Sequence, residues 1–133
     1  MKSVLPDTSV IIDLLDGDRT FERELSSAER IVVTPSVIAE FMSGISGAKR
    51  DKAKQTAFEA LVENPYVEVV VHDKETATYY ASIYRYLKGQ GAMVPLGDIW
   101  IAASAMQHGA TILTKDRHYS AIPVLPVILR PST

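Results

Sequence analysis

The chain contains no cysteine, which excludes a disulfide framework, a thiolate zinc site, an iron–sulfur cluster and a cysteine nucleophile. No apolar run approaches the roughly 20 residues that a membrane span requires. Ahead of Pro6 and Asp7 the N-terminus offers only Val4 and Leu5, too little for a secretory hydrophobic segment. A cytoplasmic protein without membrane association is therefore expected. An excess of basic charge is also missing. Fourteen Lys+Arg stand against sixteen Asp+Glu, giving a net charge of −2 and a pI near 5.9. That balance argues against the broad basic footprint of a non-specific nucleic-acid binder. It leaves room for a nucleic-acid enzyme whose acids are concentrated in a metal site.

Several catalytic motifs are absent as well. There is no Gly-x-x-x-x-Gly-Lys-Ser/Thr phosphate loop and no His-Glu-x-x-His. Gly44-Ile45-Ser46-Gly47-Ala48 lacks the closing glycine of a nucleophile elbow. Gly89-Gln90-Gly91 ends a helical pattern where a dinucleotide-binding loop would open one, and no third glycine follows.

What is present is ordinary globular composition, with 47% hydrophobic and 23% charged residues in 133, so one domain spanning residues 1–133 is expected. A chain of this size buries roughly two-thirds of its unfolded surface and needs no staple. Ser3–Leu5 reads as a short strand, and Asp7-Thr8-Ser9 as a turn of helix-capping types before Ile11, Leu14 and Leu15 repeat at helical spacing. A second helical piece follows over Thr20–Glu29. Arg30–Val33 is a brief β-branched strand, and Thr34-Pro35 opens a helix with proline in its first turn. That helix carries Val37, Ile38, Phe41 and Ile45 on one stripe. The basic run Lys49, Arg50, Lys52 and Lys54 then leads a helix through Phe58 to Asn64-Pro65. Val67–Val71 predicts a strand, and Lys74–Lys88 a helix packing through Ala77, Tyr80, Tyr84 and Leu87. Asp98 is expected to start a helix, Ile99–His108, that is apolar nearly all round and so buried. Thr111–Leu113 and the pair Val124–Leu125 with Val127–Leu129 complete the strands, the last interrupted by Pro126 and hence an edge. Apolar strands alternating with helices predict an α/β fold, a three-layer α/β/α sandwich around a mainly parallel sheet.

In such sheets ligands bind beyond the carboxyl ends of the strands, and four acids fall there. Asp7 follows the first strand, Asp116 follows the Thr111–Leu113 strand, and Asp98 heads the buried helix. Glu40 lies in the second turn of the helix after the second strand, on the flank of its apolar stripe. Taken singly, each has an ordinary explanation: Asp7 and Asp98 as helix caps, Glu40 as a solvated helix residue, Asp116 as a turn residue. Together they suggest one site. Carboxylates gathered to about 5 Å repel by roughly 3 kcal/mol per pair at an effective dielectric near 20, so the cluster must protonate in part or hold a cation. Oxygen ligands select a hard ion, Mg²⁺ or Mn²⁺, and such an ion suits phosphate-ester hydrolysis. Thr8, Ser9 and Thr114 stand where their hydroxyls could orient the carboxylates.

Val4-Leu5-Pro6-Asp7-Thr8-Ser9-Val10-Ile11-Ile12, Glu40, Asp98-Ile99-Trp100-Ile101-Ala102-Ala103 and Leu113-Thr114-Lys115-Asp116-Arg117-His118-Tyr119 resemble PIN-domain ribonucleases, in particular the VapC-type toxins of toxin–antitoxin pairs. The likeness runs from about Val4 to Leu129. Two departures are Pro6, where an aliphatic strand residue is usual, and Tyr119, where phenylalanine is commoner. The resemblance implies a Mg²⁺-dependent endoribonuclease, silenced by a small antitoxin protein and forming a homodimer. By motif position it makes Asp7 and Asp98 the principal metal ligands, with Glu40 and Asp116 completing the acidic site.

Leaving those four acids aside turns the net charge of −2 into +2, which an RNA backbone around an acidic centre tolerates. Lys115, Arg117 and His118 are candidate phosphate contacts, or equally solvated loop charges. Tyr79 and Tyr86 lie off the Tyr80/Tyr84 stripe, as core packing at the sheet edge or as a partner surface. His72 and His108 show no metal-ligand spacing. Two rival readings stay open at this point: a phosphoryl-accepting switch of the receiver type, which needs an acidic pair at the first strand end, and a catalytically silent RNA-binding module of the same fold.

Overall fold

In the computed structural model, which describes residues 2–131, the first strand, β1 (Ser3–Pro6), lies at the centre of a parallel sheet. Val4 and Leu5 are both fully buried on it. Successive strand residues face opposite sides, so these two enter different cores. Leu5 joins a large core that includes Val37, Phe41, Leu87 and Ile101. Val4 joins a smaller one with Val10, Phe21 and Leu113, against which Leu25 and Ile128 pack. A strand buried on both faces has no use for the polar alternation of a half-exposed sheet, which is why these strands read as plain apolar runs.

From β1 the chain forms α1 (Thr8–Leu15) and α2 (Glu22–Ser27), then β2 (Arg30–Val33), α3 (Pro35–Ser43), α4 (Lys49–Glu63) and β3 (Val67–Val69). It continues through α5 (Lys74–Gln90) and α6 (Leu96–His108) to β4 (Thr111–Thr114), a 3₁₀ turn over Arg117–Ala121, and β5 (Val127–Leu129). The strand order is β3-β2-β1-β4-β5, with every neighbouring pair parallel. The three-layer sandwich expected from the sequence is the fold observed. Chain direction across the sheet reverses between β1 and β4, and a crevice opens beyond the carboxyl ends of strands at such a switch point. Among the described residues no helix is long and apolar enough to cross a membrane.

The structure corrects the sequence reading in several places. Pro6 belongs to β1, paired with Leu113, one residue beyond the Ser3–Leu5 strand expected from the sequence. Asp7 N–H donates to Leu113 O at 3.0 Å, so the missing N–H of Pro6 falls on the β2 side, where pairing has already ended at Val4 and Ile31. The helix expected to begin at Asp98 begins at Leu96, with Pro95 in the capping position. It ends at Gly109, whose φ of 62° closes the last turn in the left-handed region. On α5 the buried residues are Thr76, Ile83 and Leu87, and Ala77 is exposed. Asp73 accepts from Thr76 N–H and Gln107 Nε2 donates to Asp73, so polar contacts between α5 and α6 rotate the helix off its purely apolar stripe. Val124–Leu125 forms no strand; Val124 sits in a turn at φ 54°, almost wholly exposed. Between Pro123 and Pro126 the chain has too few free N–H groups to extend the ladder. Tyr86 is exposed and Tyr79 half-buried. His72 stacks on Trp100 with ring centres 4.8 Å apart.

Candidate active site

Asp7 arrives at the switch point directly from β1 and is buried. Its Oδ1 accepts from Val10 N–H at 3.0 Å and from Ser9 Oγ–H at 2.9 Å. Its Oδ2 accepts from the Thr114 hydroxyl at the end of β4. The capping role is therefore real, yet it uses mainly one oxygen; a carboxylate has about four acceptor positions, so Oδ2 retains one for a further ligand. Thr114 also accepts from Asp116 N–H at 2.9 Å, so one buried hydroxyl ties together two of the four acids.

Glu40 reaches the crevice from α3, whose start is fixed by Thr34 accepting from Val37 N–H at 3.1 Å and by Pro35 in the first turn. Its carboxyl is pushed above the usual range, first by burial and then by the negative charges of Asp98 and Asp7. The Thr8 hydroxyl lies close enough to oppose that shift, but its geometry falls short of a hydrogen bond, and it is buried with no protein partner.

Asp98 occupies the third position of α6 and is not the helix cap. Its Oδ2 lies 2.7 Å from His118 Nδ1, and Tyr119 O–H donates to its Oδ1 at 3.3 Å. Burial raises its pKa; the His118 contact opposes the shift and the Asp116 charge reinforces it. Asp116 caps the 3₁₀ turn by accepting from His118 N–H at 2.9 Å, and its Oδ2 lies 3.1 Å from His118 Nδ1. Asp7, Glu40, Asp98 and Asp116 thus line one crevice of about 110 Å³, together with Thr8, Ser9, Ile101 and Tyr119. One ligand atom each from Asp98, Asp116 and His118, the last of these outside the crevice lining, lie within 4.8 Å of one another. Crowded oxygen donors beside an unpartnered buried hydroxyl fit a hard divalent cation with retained water.

A wider groove of about 520 Å³ adjoins the crevice and shares Ser9 and Asp116 with it; Asp13, Lys115, Arg117 and His118 line the rest. Arg117 and His118 are exposed there. The Lys115 ammonium is engaged by Asp13 at 2.7 Å and by Asp18, both in the stretch from α1 toward α2. Sequence reasoning missed that pairing, and it missed Tyr119 as a neighbour of the acids. The phenol of Tyr119 is buried, and the charges of Asp98, Asp7 and Glu40 add to the burial that holds its proton on. The signal available was its position three residues after Asp116, one 3₁₀ turn along.

A family description of the PIN domain matches residues 4–125 of the chain. Ribonuclease VapC4 of Mycobacterium tuberculosis is 28% identical over 128 residues, 96% of this chain and 97% of that protein. Ribonuclease VapC1 of Methanocaldococcus jannaschii is 31% identical over 116 residues, 87% of this chain and 77% of that one. Among solved structures, VapBC-5 of Mycobacterium tuberculosis, a member of the VapBC family of toxin–antitoxin systems, superposes with a TM-score of 0.75 at 24% identity. That match covers 99% of this chain and 100% of the other.

Proposed function

The chain belongs to the PIN-domain family, and from that membership we propose that its acidic crevice is the active site of a metal-dependent endoribonuclease, the toxin of a toxin–antitoxin pair. The single observation that carries this reading is the meeting of Asp7, Glu40, Asp98 and Asp116, from four separate stretches of chain, around one small cavity at the sheet's switch point. The ribonuclease relatives and the toxin–antitoxin structure support the substrate and the partner class.

In this reading Asp7 and Asp98 are the principal ligands of a Mg²⁺ ion, for which Mn²⁺ can substitute, and Glu40 and Asp116 complete the site. When bound, the ion polarises the phosphoryl group and lowers the pKa of a water molecule for in-line attack on the RNA phosphodiester. Ser9 and Thr114 hold the Asp7 carboxylate by donating to its two oxygens. Thr8 offers its free hydroxyl to the same cavity. Burial and neighbouring negative charge disfavour the ionised forms of Glu40 and Asp98, a cost that a bound cation would relieve. Arg117 and His118, open on the adjoining groove, take the phosphate-contact role. Lys115, engaged by Asp13 and Asp18, braces the loop between them and the sheet. A small antitoxin protein and a second copy of the chain are the partners.

The test is cleavage of an RNA substrate in Mg²⁺ or Mn²⁺. Activity should vanish in EDTA and fall by about a hundredfold or more in Asp7→Asn and in Asp98→Asn, beyond the loss typical of residues that only orient a ligand. Cleavage that survives both substitutions would falsify the site.

A further inference from the structure

We infer that Gly97 is a positioning residue of the acidic crevice, present because any side chain there would push the Glu40 carboxylate out of its seat against the first turn of α6. The inference rests on the reading of Glu40 as part of the site.

Glycine is a poor choice for the second position of a helix, because it loses more backbone freedom on folding than any other residue. Gly17, Gly91 and Gly109 have positive φ that justifies them; Gly97 does not. Its helical backbone would accept alanine. What it lacks is room on one side: a Cβ built there would lie 3.1 Å from Glu40 Oε1 and 3.8 Å from Glu40 Cδ, with no other atom within 4 Å beyond its chain neighbours and its own helix backbone. Among the described residues, no other glycine has a side chain in that position. Gly44 would meet only backbone carbonyls, and Gly17, Gly47, Gly89, Gly91 and Gly109 nothing.

A contact of 3.1 Å is closer than a methyl group and a carboxylate oxygen normally approach. Something must move by a few tenths of an ångström, and the movable part is the end of the Glu40 side chain, not the backbone. The fold therefore tolerates the methyl group while the carboxylate shifts. That carboxylate stands among Thr8, Asp7 and Asp98, with Asp98 next in sequence to Gly97. Small displacements at a metal-holding site are costly to rate, since misplacement by about 1 Å loses on the order of a hundredfold.

The experiment compares Gly97→Ala with Gly89→Ala, a helical glycine on α5 with open space around it. Each is also combined with Glu40→Ala. Three quantities are measured: the melting temperature in EDTA, the Mg²⁺ concentration that half-completes the metal-induced rise in melting temperature, and kcat/KM for RNA cleavage. Gly97→Ala should melt no lower than the wild type in EDTA, need severalfold more Mg²⁺, and lose about tenfold in kcat/KM. Gly89→Ala should change neither metal response nor rate. In the Glu40→Ala background, Gly97→Ala should cause no further loss. Wild-type metal response and rate in Gly97→Ala, alongside losses in Glu40→Ala, would overturn the inference and leave the site reading standing. A further loss in the double variant, or a melting temperature in EDTA below that of the wild type, would overturn it too, by making the role one of the fold. Wild-type behaviour of Glu40→Ala would instead remove the reading on which it rests.

Discussion

Tyr119 has its ring in the large core, nearly free of solvent, and its hydroxyl at the acids. Burial and the surrounding carboxylates keep the phenol protonated, so it is a fixed donor to Asp98 Oδ1. Tyr119→Phe should leave the core filled and remove only that donor. The expected result is a loss of about tenfold in Mg²⁺-dependent cleavage, typical of a residue that orients a ligand, with circular dichroism unchanged; a wild-type rate would show the hydroxyl idle. The four acids themselves were legible as a group in the chain, because Asp7 and Asp116 follow strands and Glu40 and Asp98 lie in the first two turns of helices at the edge where sites form. Tyr119 was not, because its return to Asp98 depends on the 3₁₀ turn after Asp116, which Arg117 and His118 do little to announce. The Thr114 hydroxyl, by contrast, was readable as an orienting group from its place just before Asp116, although its seat on the strand beside Asp7 comes from the sheet order.

Among the elements, the loop leaving β4 is the one that needs bracing, since it delivers both Asp116 and His118. Lys115 supplies the brace by crossing to Asp13 and Asp18. The pairing with Lys115, helped by Thr20, lowers the Asp18 pKa to about 2 from an ordinary 3.8. A carboxyl that is more acidic in the folded state contributes stability above its unfolded pKa and loses it as pH falls toward the folded value. Asp18→Asn should therefore have a lower urea midpoint than the wild type above about pH 4. The gap should close as pH falls from 3.8 toward about 2. A gap that stays constant over that window would mean the ion pair contributes nothing. Which elements exist could be read from the alternation of apolar runs with helical stripes, but their edges could not. Asp98 looks like a helix cap until Pro95 is seen to hold that place, and α5 packs through Thr76 where a purely apolar stripe favours Ala77. In both cases a polar or proline contact fixes the phase, and hydrophobic periodicity carries no record of it.

Across the whole molecule the sheet order is what makes the chemistry possible. The strands read from the sequence do not reveal that β1 lies between β2 and β4, yet that order alone sets Asp7 beside Thr114 and Asp116. Alternating helices and apolar strands made the sandwich legible. Strand neighbours depend on which crossovers pack, and short runs of valine, isoleucine and leucine do not distinguish one from another. The outcome is a chain of near-balanced charge that holds four acids in one crevice. Asp98 and Asp116 come within 4.8 Å of each other, a repulsion of about 3 kcal/mol at an effective dielectric near 20. Among the described residues, only His118 pairs with both.

Thermal denaturation at neutral pH, with and without Mg²⁺, in the wild type and in Asp98→Asn, measures that arrangement most directly. At a concentration about a hundredfold above its dissociation constant, a bound ion stabilises the fold by about 2.7 kcal/mol, a rise on the order of 8 °C for a chain of this size. The wild type should show such a rise and Asp98→Asn less than half of it. Equal rises in the two proteins, or none in either, would contradict the claim that these carboxylates share one divalent ion.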